Sequence, residues 1–244
     1  MSENEYELVI SRATAEDTSF LAKATLLVML YVEREFMCTK IIQVQAERAH
    51  TGRGVWDAVL GENGMIVDGA MQCLEEVIRN CEAAHIHYHH FLVARTADGT
   101  PVASCSAYPY PDYDISKTYK CLESVVLNIL GWSEEKYKQQ LSKLDFLKEV
   151  FPDDLPWNGS WFLETIFTEP DYRGRGLSGR LVKECLDEGR KRGMARSLLI
   201  AAEGNSKALR VYLKQGYEVV GQAYAEEAVA VLGCRGFEIM KLEF

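Results

Sequence analysis

Residues 169–180 turn an apolar extended run into a helix by way of glycines and arginines, and this junction constrains the fold more than any other stretch of the chain. Upstream, residues 161–167 are aromatic and β-branched enough to form a buried strand. Downstream, Leu181, Val182, Cys185 and Leu186 recur at helical spacing. Gly174, Gly176 and Gly179 allow the backbone to approach a ligand closely, and the first N–H groups of a helix have no internal acceptors. Those donors, the helix dipole and the nearby cations Arg173, Arg175, Arg180 and Lys183 all favour a polyphosphate.

Two other phosphate motifs are excluded. A nucleotide-hydrolysing loop requires G-x-x-x-x-G-K-[ST], and no Lys-Ser or Lys-Thr follows these glycines. Gly174, Gly176 and Gly179 do fit G-x-G-x-x-G, but they lie too late in the chain for the rest of a dinucleotide domain to follow. The string by itself is also compatible with a surface turn before an amphipathic helix. The next residues argue for more: 197–201 read as a second buried strand, and Asn205 caps a helix with an apolar stripe at Ala208, Leu209, Tyr212 and Leu213 that ends at Gly216. A strand over 217–220 follows.

With both stretches in view, the chain resembles the GNAT superfamily of N-acetyltransferases. The family pattern [QR]-x-x-G-x-[GA] falls on Arg173, Gly176 and Ser178, and the second signature, N-x-x-A-x-x-x-Y-x-x-x-G-[FY], falls on Asn205, Ala208, Tyr212, Gly216 and Tyr217. Ser178 departs from the usual small apolar residue and adds a hydroxyl beside the phosphates. The resemblance covers residues 160–221 firmly and the middle of the chain poorly. It implies an α/β fold with a central mixed, mostly antiparallel sheet, flanked by helices and splayed where acetyl-coenzyme A enters. It also implies that the cofactor is held by Ile166, Phe167, Thr168, Arg173, Gly174, Arg175, Gly176, Leu177, Ser178, Gly179, Arg180, Asn205 and Lys207, with the pantetheine arm lying along the backbone of 166–168 like an added strand.

At 244 residues, with 48% hydrophobic and 26% charged residues, one globular domain spanning 1–244 is the expectation. The seven cysteines are scattered without a CxxC, and the acidic start carries no secretory signal, which points to a reducing cytoplasm. The apolar stretch 24–32 is too short to span a bilayer. A net charge of −9 disfavours a nucleic-acid partner and suits a cationic small-molecule amine.

At the front, residues 6–12 alternate as a strand, and Thr14 to Asp17 open a long helix, as a capping box, through about Arg34. Residues 56–80 suggest one or two more helices. Residues 91–94 and 102–106 flank Asp98-Gly99, a hairpin signal. Residues 112–157 stand where the resembling fold has a short turn; two helices are expected there, the second opened by Ser133, as a lid over the acceptor, a packing elaboration or a homodimer surface. Tyr108, Tyr110 and Tyr113 lead into this insertion and are placed, with His89, at the substrate.

The chemistry follows from residue types. An amine with a pKa of about 10.4 must lose a proton before attacking a thioester. Glu164, in the strand before the cradle, is the candidate base, or a carboxylate that only orients substrate, because strand parity is open. Tyr212, through the resemblance, is the candidate acid for the leaving thiolate. His85, His87 and His89 would share one face of a strand, with His90 pointing away; this is a polar edge where one histidine binds substrate or replaces Glu164 as base, and no metal is expected. The expectation is direct acetyl transfer to a primary amine. A protein or peptide acceptor, a longer acyl donor and a non-catalytic acyl-coenzyme A sensor stay open.

Overall fold

The computed structural model describes residues 8–28, 55–62, 65–110, 112–113, 115–147, 157–232 and 234–244. In chain order its elements are β1 (Val9–Arg12), α1 (Thr18–Val28), α2 (Val55–Leu60), β2 (Gly61–Glu62), β3 (Met65–Ile66), α3 (Ala70–Asn80), β4 (Phe91–Arg95) and β5 (Pro101–Tyr110). They continue with α4 (Ile115–Ile129), α5 (Glu134–Ser142), β6 (Ser160–Thr168), α6 (Leu177–Lys191), β7 (Arg196–Ala202), α7 (Ser206–Lys214), β8 (Glu218–Tyr224), α8 (Glu226–Leu232) and β9 (Gly236–Glu243).

The seven-stranded sheet has the order β1-β4-β5-β6-β7-β9-β8. Its pairs are antiparallel except β6–β7. The Asp98-Gly99 turn closes β4 onto β5 as expected: Gly99 sits at φ +89°, and the Thr96 N–H donates to Thr100 O at 3.0 Å. Thr14 opens the helical region as a capping box, its own N–H donating to Asp17 at 2.8 Å, and Arg95 from β4 pairs with the same carboxylate. A single 3₁₀ turn intervenes before α1, and the expected continuation to Arg34 lies outside the described residues. Residues 55–80 hold α2 and α3, with the β2–β3 hairpin between them. Strands two residues long show no periodicity, so this hairpin left no sequence signal.

Two apolar layers cover the sheet. On one face, α1 to α5 bury Leu21, Val59, Leu74, Val77, Leu122 and Tyr137 with Phe91 and Val93. On the other, α6 and α7 bury Leu181, Val182, Cys185 and Tyr212 against Cys105, Trp161, Leu163 and Leu199. Leu213 does not complete its stripe; it is 48% exposed, one position beyond the arc that faces α6.

β6 decides what lies on each face. Ser104 pairs with Phe167 and Ser106 with Glu164, so β6 carries one residue more than β5 across the interval. Thr165 takes up the excess at φ +48°, a left-handed conformation that costs a β-branched residue of the order of 1–3 kcal/mol. The bulge reverses the alternation. Trp161 and Leu163 pack toward α6, while Phe162 and Glu164 face the other layer; beyond Thr165, Ile166 turns toward α6, and Phe167 meets Phe20 of α1 with ring centroids 5.9 Å apart. β6 also pairs with β7 only over Ser160 to Phe162, so both strands then run on unpaired to each other and the sheet opens as a V.

α6 lies close on β6 at Gly189, where an added Cβ would come 2.6 Å from Trp161 Cδ1 and 2.9 Å from Phe244 Cε2. Trp161 is held there by its indole N–H, which donates to Cys185 O at 2.8 Å. The Gly189→Ala variant is therefore expected to lose about 1–3 kcal/mol of stability by overpacking, measured from the urea midpoint at unchanged slope.

Candidate active site

The V between β6 and β7 points at the N-terminus of α6. Gly176 caps that helix at φ +74° with no side chain bonded to the free N–H groups, and Gly174 lies at φ +77°. A Cβ at either glycine would meet nothing within 4 Å, so the space over the loop is open. Around it, Arg173 Nε donates to Thr168 O at 3.1 Å, Arg175 donates to Asp171 O at 3.0 Å and stacks over Tyr172, and Arg180 donates to Leu8 O at 3.3 Å. These bonds fix the cations beside the uncapped helix end. Lys183 sits one turn further on, paired with Asp187 at 2.8 Å. The Ser178 and Thr168 hydroxyls lie 3.1 Å apart, so the residue that departs from the family pattern ties the first turn of α6 to the end of β6.

An uncapped helix N-terminus, open glycines, fixed guanidinium groups and an unpaired strand edge from Leu163 to Thr168 fit a polyphosphate with an extended amide-bearing arm. The Leu177 side chain is buried in the α6 layer, so only its backbone faces the loop. Asn205 spends its side-chain oxygen on the N-terminus of α7, accepting from the Ala208 N–H at 3.2 Å, while Lys207 is exposed.

Glu164 lies one residue before the bulge, its side chain 32% exposed. Tyr108 donates its hydroxyl to Glu164 Oε2 at 2.9 Å, and His85 Nε2 lies 3.3 Å from the same oxygen. Tyr108 stacks on Phe162 with ring centroids 5.7 Å apart, and Tyr110 and Trp157 continue the aromatic wall around Phe162 at 6.4 and 6.0 Å. Tyr113 packs beside Tyr110 against the same Phe162 cluster, and with His89, whose ring centroid is 6.1 Å away, it also lines a cleft of about 330 Å³ with Arg12, Glu188 and Arg192 at the C-terminal end of α6, whereas the glycine loop lies at its N-terminal end.

Tyr212 projects from α7 into the α6 layer, on the face of the sheet opposite Glu164. Burial, reinforced by the neighbouring Cys105, pushes its phenol above the ordinary range, so it carries its proton at any working pH. Cys105 is the β5 residue opposite the bulge, which places Tyr212 across the sheet from Thr165.

The histidines form no strand. His85 and His87 lie in turns and Tyr88–His90 is a 3₁₀ turn, so period-two facing does not hold. His87 and His90 are buried, and burial together with His89, His87, His85 and Arg12 pushes His90 down to about 2, leaving it neutral. No three metal-ligating side chains converge among the described residues. The contact of His85 with Glu164 has no local sequence signal, since 79 positions separate the residues by their numbering.

Comparison with known proteins agrees with this geometry. The model of the acetyltransferase (GNAT) family matches residues 141–217. No curated protein sequence matches the chain. A solved acetyltransferase is similar in fold, with a TM-score of 0.58 at 17% identity over 96% of this chain and 98% of that one. An N-acetyltransferase from Staphylococcus aureus Mu50 is similar at TM-score 0.56 and 18% identity, over 96% and 100% of the two chains. An agmatine N-acetyltransferase is similar at 0.52 and 15%, over 98% and 100%.

The loop geometry yields a test. Gly176→Ala forces an alanine into the left-handed region at the mouth of the cradle and is expected to weaken coenzyme A binding about tenfold in calorimetry, at a stability cost of about 1–2 kcal/mol.

Proposed function

We propose that the chain is a GNAT acetyltransferase, the family whose model matches residues 141–217, and that it transfers acetyl from acetyl-coenzyme A to the primary amine of a small-molecule acceptor by direct attack. The single observation that carries this reading is the convergence of the unpaired edge of β6 with a hydrogen-bonded carboxylate, Glu164, one residue before the bulge.

Acetyl-coenzyme A supplies an activated thioester. The chain's residues do the rest. The glycine loop and Arg173, Arg175 and Arg180 bind the phosphates, and the backbone of Ile166 to Thr168 aligns the arm. Glu164 takes the proton of the ammonium group so that its nitrogen lone pair is free to attack, directly or through one water. Tyr212 holds the proton that the departing sulfur requires. No cysteine needs to carry the acyl group: Cys105 and Cys185 are buried in the α6 layer.

The acceptor is small and cationic on this reading. Tyr108, Tyr110, Phe162 and Trp157 form an aromatic wall that ends at the Glu164 carboxylate, and a net charge of −9 draws amines toward it. Helices α4 and α5 of the insertion pack into the core of one domain, and Tyr113 and His89 extend the wall toward the cleft at the C-terminal end of α6. The six described cysteines are free, and no helix among the described residues is long and apolar enough to cross a membrane; both fit work in a reducing cytoplasm.

Release of coenzyme A thiol from acetyl-coenzyme A is expected with at least one of spermidine, lysine, kanamycin and tyramine, and not with a peptide N-terminus alone. Coenzyme A binding without release for any amine would instead mark a sensor. Tyr212→Phe is expected to lower turnover about tenfold or more while the coenzyme A Kd stays unchanged, the mark of an interaction made only in the transition state. An unaltered kcat would remove Tyr212 as the acid.

A further inference from the structure

Glu164 does not stand alone on its face of the sheet. His85 is 2% exposed and Thr118 is completely buried, yet together they make a continuous polar line to the carboxylate. Thr118 Oγ1 accepts the backbone N–H of His85 at 3.0 Å and lies 2.6 Å from His85 Nδ1, while His85 Nε2 faces Glu164 Oε2 at 3.3 Å. One neutral arrangement satisfies both of these ring contacts. If Nδ1 carried the hydrogen, the Nε2 lone pair would face a carboxylate oxygen. If the Thr118 hydroxyl donates to Nδ1, the ring carries Nε2–H and donates to Glu164.

We infer that Thr118, from the first helix of the 112–157 insertion, sets the tautomer of His85, and that His85 thereby acts as a positioning residue that holds the Glu164 carboxylate for proton abstraction. This rests on the reading of Glu164 as the base. It gives α4 a part in the chemistry: its Thr118 reaches the site through the turn that joins α3 to β4. The amine proton rests on Glu164, because Nε2, the ring nitrogen that faces the carboxylate, already carries its hydrogen and Nδ1 lies on the far side of the ring against Thr118.

The other titratable groups facing this pair are Tyr108 from β5, bonded to the same oxygen, Tyr119 from α4, whose phenol burial and the Glu164 charge push up, and His90 from the 3₁₀ turn. Burial keeps the Tyr119 phenol protonated and the His90 imidazole neutral, so neither supplies a competing charge near neutral pH. Removing a hydrogen-bond donor from a carboxylate raises the pH at which it ionises, so loss of the Nε2–H bond is read in the acid limb of activity.

The test uses the full chain and the panel amine with the highest turnover. Thr118→Val is expected to lower kcat/KM about two- to tenfold, the equivalent of one hydrogen bond, and to move the acid limb of the kcat/KM profile to higher pH, with the coenzyme A Kd unchanged. Thr118→Ser should restore both. His85→Ala should shift the profile at least as far, and adding Thr118→Val to it should change nothing more, because Thr118 acts through the ring. Independently of any variant's folding, ¹⁵N spectra of the wild-type protein at pH 8 should show His85 as the Nε2–H tautomer. An Nδ1–H tautomer, an unmoved acid limb in Thr118→Val, or additive losses in the double variant would overturn the inference while leaving the base intact. Full activity in Glu164→Gln would overturn both.

Discussion

Everything at this site depends on one extra residue in β6. Thr165 at φ +48° absorbs it and reverses the alternation of the strand, so Phe162 and Glu164 share one face while Ile166 faces the other. Without the bulge, Phe167 would point toward α6 instead of meeting Phe20, and Ile166 would join the Glu164 face. The strain at Thr165 is held in place by antiparallel pairing to β5 on both sides and by the buried residues that follow from it.

The loss of pairing to β7 after Phe162 is the second half of the same design. A strand edge with free backbone groups inside a sheet is costly unless something pairs with it, and here the V opens on the uncapped start of α6. The two features are coupled through Trp161, which lies in the paired stretch of β6, bonds to Cys185 of α6 and packs under Gly189. α6 therefore cannot move relative to the strand edge without breaking a buried hydrogen bond and a close contact, and the glycine loop keeps its register with the Glu164 face.

Electrostatics divides the two faces. Near Glu164, the groups are polar and hydrogen-bonded: a tyrosine hydroxyl and an imidazole converge on one carboxylate oxygen. Near Tyr212, the neighbours are Leu181, Cys185 and Tyr217, and the phenol stays protonated because its ionised form would be desolvated. A hydrogen-bonded carboxylate and a protonated phenol thus occupy opposite faces of one sheet.

The glycine loop was legible in the sequence because its physics is local. Glycines at 174 and 176, arginines around them and a helix stripe behind them require no knowledge of the rest of the chain, and the Thr14 box, the Asp98-Gly99 turn and the Ser133 and Asn205 caps are equally short-range. The histidines misled, since period-two spacing from His85 to His89 reads as a strand whereas the backbone there turns, and Leu213 fell just outside its stripe. Tyr113 was grouped with Tyr108 and Tyr110 by proximity in sequence, and it packs beside Tyr110 while also lining, with His89, the cleft at the C-terminal end of α6. The sequence by itself determined the glycine loop at an uncapped helix start, the strands and helices around it, and the residue types available for proton transfer. The tertiary structure alone decided the parity of Glu164, the opening of β6 from β7, and the meeting of Glu164 with His85 and Thr118, because each depends on a strand register or a contact between residues far apart in the chain, and the energy of such contacts is absent from any local pattern.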